Sequence, residues 1–358
     1  MIIGHGGNIY KLAARLGCAP DEIIDMSSNI NPLDTMPGLV AFLKDNIQAI
    51  GRLPEADSGT SVNAFAVRYD LDPGFVLAGN GTTQFIYSIP QALNTKKVLI
   101  FGPTYADYAD ACKMQNVDHS YLIAEESKSF VPDINQIEDN ISECDTVFIC
   151  NPNNPTGALI LASELELLCR SRPDIYFVID ESYMPFVKSG EKKSMMSLGL
   201  PNVIILNSMS KIFKIPGLRI GFLISSKQII KKIAPFMMPW SVNGIAQAAV
   251  LYLMEKRDEV DHFIKKTRDF IEIERKVFIE RFKNILSIKL FQGTTTFILA
   301  RLSGNYKAED ICSYMSQHKI LIRDCSNFNG LSDRFVRISL KTRNINMMAA
   351  DRILSFLS

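Results

Sequence analysis

The chain has 358 residues, of which 47% are hydrophobic, and its 39 Lys and Arg nearly balance its 38 Asp and Glu. This length is sufficient for a large domain and a smaller one, each with a core of its own. The balanced charge gives no reason to expect nucleic acid or an anionic membrane as a partner, so any anion site has to be local.

The seven cysteines are scattered and show no spacing typical of metal ligands. This pattern predicts no metal site and favours a reducing, cytoplasmic setting over a disulfide framework. The N-terminal residues show no basic segment followed by an apolar core and a cleavage site. No apolar run approaches the roughly 20 residues needed to span a bilayer. We therefore expect a soluble protein that is not exported.

The first 35 residues are rich in turns around one short helical stretch, and we expect residues 1–35 to form an arm that packs with the smaller domain and the active site.

From about residue 75 to 225, apolar runs alternate with amphipathic stretches. The runs are FVLAG, KKVLIFG, DTVFICN, DIYFVIDE, NVIILNS and LRIGFLIS. Near-continuous apolar runs are typical of a mostly parallel sheet that helices cover on both faces. This pattern predicts a large α/β domain at residues 36–242.

Residues 243 to about 284 are predicted as one long helical segment, and weaker strands then alternate with helices up to the C-terminus. These strands are SIKLF, TTFILA, ILIRDC and RFVRISL. An alternation of this kind indicates a smaller α+β domain, which we predict at residues 243–358.

Polar residues follow the apolar runs, at the strand ends where open α/β sheets bind ligands. Residues 80–83 (NGTT) precede a helical pattern and could present backbone N–H groups to an anion, although a glycine turn with a threonine cap explains them about as well. Residues 152–157 (PNNPTG) predict a rigid loop. Asp180 follows five apolar residues, where it could be a buried carboxylate or a helix cap.

Lys211 follows the apolar run NVIILNS, between a strand and a segment that favours a strand. Ser208 and Ser210 flank it, and Arg219 lies eight residues further on. A lysine among apolar groups and near a cation loses its proton more easily, which Schiff-base chemistry requires. An isolated lysine is more often a solvated side chain, so this interpretation depends on the residues around it.

Together these residues resemble the fold type I pyridoxal-phosphate enzymes over most of the chain. The resemblance rests on the combined pattern N-P-x-N-P-T-G, D-E-x-Y and S-x-S-K with an arginine eight residues on. It implies that Lys211 holds pyridoxal 5'-phosphate as a Schiff base and moves protons at the substrate carbon, and that Asp180 keeps the pyridine nitrogen protonated. The other implied contacts are to the ring oxygen (Asn154 and Tyr183), to the phosphate (Gly81, Thr82, Ser208, Ser210 and Arg219) and by ring stacking (Tyr105). For Tyr105, an ordinary core or surface tyrosine is the alternative.

Three further segments resemble the threonine-phosphate decarboxylases of cobalamin biosynthesis, a family related to histidinol-phosphate aminotransferases. They are HGGN with SNINP near the N-terminus, MPWSVN, and IRDCSN with RFVRIS. The resemblance implies that Arg337 binds the substrate α-carboxylate and that Arg323, on a neighbouring strand, pairs with a second anion. His5 and Asn29 would complete a phosphate pocket from the arm, with no proton transfer by His5. A structural ion pair is the alternative for either arginine, and the sequence leaves open which arginine binds which anion.

Two positions depart from the pattern of these relatives. Leu53-Pro54 stands where relatives carry a Tyr-Pro whose hydroxyl reaches the cofactor phosphate of the neighbouring subunit. Another group therefore replaces that hydrogen bond, or the cofactor is held more weakly. The helix after the phosphate loop begins with residues 82–84 (TTQ), where an acidic residue is common in relatives.

The resemblance predicts a lyase that decarboxylates L-threonine O-phosphate, or L-serine O-phosphate, to the aminoalkyl phosphate that is built into a corrinoid. One methyl group contributes only about 1–3 kcal/mol in a pocket, so no single residue need distinguish the two substrates. The alternatives are an aminotransferase acting on histidinol phosphate and a cofactor-binding regulator without turnover. Such regulators usually carry a DNA-binding segment before this fold, and the arm is too short and too neutral for one. By resemblance we also expect a homodimer.

Overall fold

A computed structural model describes residues 6–358 of the chain. The helices in this part of the chain are α1 (Ile9–Leu16), α2 (Leu39–Asp45), α3 (Gly59–Tyr69), α4 (Gly81–Ala92), α5 (Asp107–Met114), α6 (Ile134–Asn140), α7 (Ala162–Ser171), α8 (Met209–Ile212), α9 (Lys227–Ile233), α10 (Gly244–Glu255), α11 (Arg257–Glu280), α12 (Ala308–Gln317) and α13 (Arg343–Leu357). The strands are β1 (Ile24–Asp25), β2 (Val76–Gly79), β3 (Lys97–Gly102), β4 (Asp118–Ile123), β5 (Thr146–Cys150), β6 (Tyr176–Asp180), β7 (Val203–Ser208), β8 (Gly221–Ser225), β9 (Ile288–Leu290), β10 (Phe297–Leu302), β11 (Ile320–Leu321), β12 (Arg323–Asp324) and β13 (Phe335–Ser339). His5 and its predicted role lie outside the described residues.

The large sheet has the strand order β2-β8-β7-β6-β5-β3-β4. Its neighbouring strands run parallel except for β8, which is antiparallel to both β2 and β7. The six apolar runs of the sequence form β2, β3, β5, β6, β7 and β8, which confirms the prediction of a mostly parallel α/β sheet. The edge strand β4 was not predicted, because its DHSYLI pattern is only partly apolar and none of its six residues is fully buried.

Helices cover both faces of this sheet. On one face the buried side chains of the strands pack against α4, α5 and α9, and on the other they pack against α3, α7 and α10. The strands in between are buried along their length, as the apolar runs require. Their carboxyl ends therefore converge at one edge of the sheet, beside the start of α4.

The smaller sheet is antiparallel, with the order β12-β13-β10-β9. The predicted strand ILIRDC divides into β11 and β12, because β11 pairs in parallel with β1 of the arm and β12 pairs with β13. The predicted long helix is two helices, since Lys256 adopts a non-helical conformation between α10 and α11. No helix in residues 6–358 is both long and apolar enough to cross a membrane. The domain boundaries at residues 35 and 242 remain predictions.

Candidate active site

Two adjoining cavities lie at the carboxyl ends of β5, β6 and β7. The inner cavity, of about 90 Å³, is lined by every residue that the sequence predicted for the cofactor, namely Gly81, Thr82, Tyr105, Asn154, Asp180, Tyr183, Ser208, Ser210, Lys211 and Arg219. The outer cavity, of about 170 Å³, is lined by the predicted substrate residues Asn29, Arg323 and Arg337. Lys211, Tyr105, Asn154 and Tyr183 line both cavities and mark the place where they meet.

One end of the inner cavity is a cradle formed by the start of α4 and by Arg219. Gly81 has a positive φ of 70°, and a Cβ atom there would lie 2.6 Å from Nη2 of Arg219. A Cβ atom at Gly221 would lie 2.7 Å from the backbone nitrogen of Thr82. Both glycines therefore keep a space open between backbone N–H groups and a guanidinium, an arrangement that suits a phosphate dianion.

The structure shows the environment of the two positions that depart from the family pattern. Gln84 lies in the first turn of α4, and its Oε1 accepts a 2.6 Å hydrogen bond from the backbone nitrogen of Asn80. The glutamine thus performs the capping role of an acidic side chain without adding negative charge near the cradle. Leu53 is 74% exposed, so its side chain is available to a second protein surface.

Asp180, the last residue of β6, lines the inner cavity with a buried carboxylate. Its Oδ1 accepts a hydrogen bond from the backbone nitrogen of Ser182, and its Oδ2 accepts one from the hydroxyl of Tyr108, both at 2.9 Å. Burial raises the pKa of Asp180, whereas the hydrogen bonds from Ser182 and Tyr108 and the charge of Lys211 oppose that rise. The two donors thus stabilise an ionised carboxylate inside a largely dry site.

Lys211 lies in the single-turn helix α8, directly after β7. Burial and the nearby charges of Arg219 and Arg337 together lower the pKa of its amine to about 8, while Asp180 acts in the opposite direction. A substantial fraction of the amine is therefore neutral near pH 8, as a nucleophilic lysine requires. Ser210 precedes the lysine, and its hydroxyl donates to the carbonyl oxygen of Ile220 at 3.4 Å.

Tyr183 is buried and receives a 3.1 Å hydrogen bond from Nδ2 of Asn29 to its hydroxyl oxygen. Burial raises the pKa of Tyr183 to about 12, and the charge of Arg337 opposes the rise. The hydroxyl of Ser339 donates to Oδ1 of Asn29 at 2.8 Å. Asn29 therefore joins the arm to the phenol and to β13 at the same time, and its predicted role towards a substrate phosphate stays a prediction.

Arg337 is buried in β13 and is held from two sides. Its Nη2 donates to the carbonyl oxygen of Ser27 at 2.6 Å, and its Nη1 donates to Oδ1 of Asn154. Its Nε has no hydrogen-bond partner among the described residues. Burial lowers the pKa of Arg337, and the negative charge of Asp25 opposes that shift. Such a cation suits an anionic ligand in the adjacent cavity.

Arg323 lies directly opposite Arg337, on the neighbouring antiparallel strand β12. Its Nη2 donates to Oδ1 of Asn327 at 2.7 Å, and its guanidinium lies 5.3 Å from the ring centre of Phe328. Burial also lowers the pKa of Arg323. Like charges at directly opposite positions repel each other, and an anion bound beside them would reduce that repulsion.

Asp25 organises the part of the arm that reaches the outer cavity, and the sequence analysis missed it. Its Oδ1 accepts hydrogen bonds from the backbone nitrogen and the hydroxyl of Ser27, at 2.9 and 2.7 Å, and from the backbone nitrogen of Ser28 at 3.1 Å. Its Oδ2 accepts a hydrogen bond from the hydroxyl of Ser28. An aspartate two residues before a serine pair is a turn signal that could have identified this role.

Tyr108 is the second functional residue that sequence reasoning missed. It lies in α5, fully buried, with its ring stacked on Phe148 at 5.1 Å between centres. Its spacing of three residues from Tyr105 was the available signal, because such a spacing places side chains on one side of a helical turn. Tyr105 itself is edge-on to Tyr108, at 5.9 Å between ring centres.

The chemistry of the site fits an elongated aromatic ligand with a phosphate at one end. The cradle provides N–H donors and a guanidinium, Asp180 provides a carboxylate, and a lysine of lowered pKa lines both cavities. The hydroxyl of Ser182 is buried beside the inner cavity without a hydrogen-bond partner among the described residues. In that same part of the chain, no group of three or more His, Cys, Asp or Glu side chains could hold a metal ion.

Comparisons with known proteins agree with this geometry. The family model for aminotransferase class I and II matches residues 21–353. The adenosylcobalamin biosynthesis bifunctional protein of Leptospira interrogans is 31% identical over 352 residues, which make up 97% of this chain and 40% of that longer protein.

Two solved structures have the same fold. L-threonine-O-3-phosphate decarboxylase from Porphyromonas gingivalis matches with a TM-score of 0.84 and 30% identity, over 94% of this chain and 99% of that one. Histidinol-phosphate aminotransferase from Clostridium acetobutylicum matches with a TM-score of 0.84 and 28% identity, over the same shares of the two chains. Because the two structures are almost equally similar to this chain, the residues of the site have to decide between the two activities.

Proposed function

The chain belongs to the aminotransferase class I and II family of fold type I enzymes, whose cofactor is pyridoxal 5'-phosphate, and we propose that it decarboxylates an L-amino acid O-phosphate. L-threonine O-phosphate and L-serine O-phosphate are the candidate substrates, and an aminoalkyl phosphate is the product. The relative with cobalamin biosynthesis in its name supports the use of this product for a corrinoid.

The observation that carries this proposal is a pair of arginines that share a cavity with Lys211, of which Arg337 is buried and Arg323 is partly exposed. Arg323 and Arg337 face each other across two antiparallel strands, and both line the outer cavity. An O-phospho amino acid carries a carboxylate and a phosphate, so it supplies one anion for each guanidinium. Histidinol phosphate has a phosphate but no carboxylate, so it supplies only one anion to the two guanidiniums.

The residues of the inner cavity divide the binding of the cofactor among them. Lys211 would attach to its aldehyde carbon, Asp180 would pair with its pyridine nitrogen, and Asn154 and Tyr183 would bind the ring oxygen. The phosphate would lie in the cradle, with Arg219 as its charge partner and Gly81, Thr82, Ser208 and Ser210 as further donors. Tyr105 would pack against the ring face.

When bound, pyridoxal phosphate supplies an electron sink for the electron pair that bond cleavage leaves on the substrate α-carbon. Asp180 would support that role by remaining ionised beside a protonated ring nitrogen. In the overall reaction the bond from the α-carbon to the carboxylate breaks, CO₂ leaves, and one proton is added to the α-carbon. Lys211 would deliver that proton from Nζ, because its side chain lies where the two cavities meet.

The arm and the arginines would orient the substrate in the outer cavity. Arg337 would hold the carboxylate and Arg323 the phosphate, with Ser28 and Asn29 of the arm beside them. The contacts of Arg337 to Ser27 and Asn154 fix its guanidinium before the substrate arrives, so little orientation has to be gained on binding.

We also propose that the enzyme is a homodimer. Large apolar side chains that are exposed in the single chain lie in two neighbouring segments, at Ile47, Ile50, Leu53, Met238 and Trp240. The two segments are joined by a hydrogen bond from the backbone nitrogen of Trp240 to the carbonyl oxygen of Ala56, at 3.0 Å. A second copy of the chain would remove this apolar surface from water.

The test is a product assay. The purified protein is loaded with pyridoxal phosphate and given L-threonine O-phosphate or L-serine O-phosphate separately, and CO₂ and aminoalkyl phosphate are quantified. Release of both products in equal amounts is expected, and the ratio of the two rates ranks the substrates. An absence of CO₂ from either substrate, together with amino-group exchange between histidinol phosphate and 2-oxoglutarate, would refute the decarboxylase and establish an aminotransferase.

A further inference from the structure

Alternate residues of the arm contact three different residues of the candidate site. The carbonyl oxygen of Ser27 accepts from Arg337 at 2.6 Å, and Nδ2 of Asn29 donates to Tyr183 at 3.1 Å. Two residues further on, the backbone nitrogen of Asn31 donates to the carbonyl oxygen of Lys211 at 3.0 Å. The arm therefore crosses the site as an irregular segment and reaches the backbone of the lysine.

The side chain of Asn31 is fully used where it lies. Its Nδ2 donates to the carbonyl oxygen of Ile212 at 2.6 Å and to Oγ1 of Thr267, in α11, at 3.0 Å. Its Oδ1 accepts from the backbone nitrogen of Leu33 at 2.9 Å. Asn31 is only 1% exposed and Thr267 is fully buried, so this network has no water to replace a lost hydrogen bond.

Two of the groups that Asn31 binds belong to the short helix α8. Helix α8 has four residues, Met209–Ile212, and a single turn gains almost nothing from helix propagation. The carbonyl groups at the end of a helix lack regular helical partners, and Asn31 binds two of them: that of Lys211, which also accepts a 3.4 Å hydrogen bond from the backbone nitrogen of Lys214, and that of Ile212. The direction of the lysine side chain thus depends on a residue about 180 positions earlier in the chain.

We propose that Asn31 is a positioning residue, through which the arm and α11 together hold α8 so that Nζ of Lys211 lies between the two cavities. This inference rests on the proposed role of Lys211 in binding the cofactor, and it is independent of which substrate the enzyme uses. Because the same arm lines the outer cavity through Ser27, Ser28 and Asn29, a substrate that orders the arm also orders the lysine.

The test compares Asn31→Ala and Asn31→Ser with the unmodified protein. We expect kcat to fall about 10- to 100-fold with KM changed much less, because a small misplacement of the reacting amine affects the chemical step rather than binding. The second readout needs no substrate: the rate at which the cofactor-free protein binds pyridoxal phosphate covalently, followed by absorbance as a function of pH. Loss of Asn31 should move the midpoint of this pH dependence upwards, because a less constrained Lys211 reaches water and titrates closer to an ordinary lysine.

Asn202→Ala is the matched control. Asn202 is also a buried asparagine, and its Nδ2 donates to three carbonyl oxygens, of Cys169, Arg172 and Ile175, each at 3.0 Å. It does not line either cavity. Its loss should lower the melting temperature and leave the pH midpoint of cofactor binding and the kcat of the folded enzyme unchanged.

Thr267 provides a second pair of variants in case the Asn31 variants do not fold. Thr267→Val keeps the shape but removes the acceptor for Nδ2 of Asn31, and should show the same changes in smaller measure, whereas Thr267→Ser should restore both readouts. If the Asn31 and Thr267 variants lose stability alone, as Asn202→Ala does, the positioning role is refuted while the decarboxylase proposal stands. If Lys211 does not bind the cofactor in the unmodified protein, both proposals fail together.

Discussion

The hydroxyl of Tyr108 donates a 2.9 Å hydrogen bond to Oδ2 of Asp180, across 72 positions of sequence. The tyrosine is fully buried in α5 and cannot exchange this partner for water. Asp180 receives its other donor from the backbone of Ser182, so Tyr108 is the donor that a side-chain substitution can remove cleanly. The pair shows how the helix after β3 controls a carboxylate at the end of β6.

Replacing Tyr108 by Phe should destabilise the ionised form of Asp180. Burial already raises the pKa of this carboxyl, and the hydrogen bond from Tyr108 opposes that rise, so its removal raises the pKa further. The carboxyl is ionised above its pKa, so on acidification the variant loses the ionised form at a higher pH than the unmodified enzyme does. We expect kcat to decrease about 10-fold near neutral pH, with the acid limb of the pH profile shifted upwards.

Tyr306→Phe is the control for that substitution, because its hydroxyl also donates to a single acceptor, the carbonyl oxygen of Leu357, at 3.1 Å. An acid limb that coincides in Tyr108→Phe and the unmodified enzyme would show that the phenol does not act on Asp180.

The covalent binding of pyridoxal phosphate should depend on pH through Lys211. Burial lowers the pKa of this amine to about 8, and only the neutral amine attacks an aldehyde, so the rate should rise with pH and level off above about pH 8. Stopped-flow absorbance on the cofactor-free protein measures it. Lys211→Ala should abolish covalent binding and turnover, whereas Lys113→Ala, on the protein surface, should leave both unchanged. A rate that still rises towards pH 10 would mean that the amine titrates as an ordinary lysine.

Substitution of each arginine should show which anion it binds. The aminoalkyl phosphate product lacks the carboxylate. Arg337→Leu should therefore weaken the binding of the substrate but not that of the product, whereas Arg323→Leu should weaken the binding of both. Each loss should be about 100-fold, as for the removal of one partner from a buried charge pair. Spectral titration of the cofactor-loaded protein measures both affinities.

Arg301→Leu serves as the control for the arginine variants. Arg301 lies in the same small sheet, and its substitution removes a partly exposed ion pair with Glu126. The opposite pattern, with product affinity lost in Arg337→Leu alone, would exchange the two assignments.

Charge in the exposed apolar segments should dissociate the proposed homodimer. Ile50 and Met238 are 73% and 69% exposed in the single chain, and a carboxylate at either position could be buried in an interface only at a high cost. Ile50→Glu combined with Met238→Glu should give a monomer by analytical ultracentrifugation. Leu286→Glu should remain dimeric, since Leu286 is 94% exposed and belongs to neither segment. An unmodified protein that sediments as a monomer would contradict the dimer itself.

Local patterns predicted most of the strands, and the residues that the family resemblance assigned to the cofactor lie together in the inner cavity. The strands β5 and β7 are buried along their whole length, and β6 is buried at all but its first residue, so their sequences show no competing pattern. The residues that follow these runs lie together because the carboxyl ends of parallel strands meet at one edge. The edge strand β4 was missed because its sequence is only partly apolar. The break at Lys256 was missed because a single non-helical residue leaves little signal in a sequence.

The sequence by itself determined the fold class, the family resemblance and the residues of the inner cavity, because each of these follows from periodicity or from a short motif. Only the tertiary structure decided that Arg323 lies opposite Arg337, that Tyr108 reaches Asp180, and that Asn31 binds the backbone of Lys211. These contacts join residues that are 14, 72 and 180 positions apart, so no local pattern encodes them. They form only when strand pairing and core packing bring separate elements together, and that is where the specificity of the site is fixed.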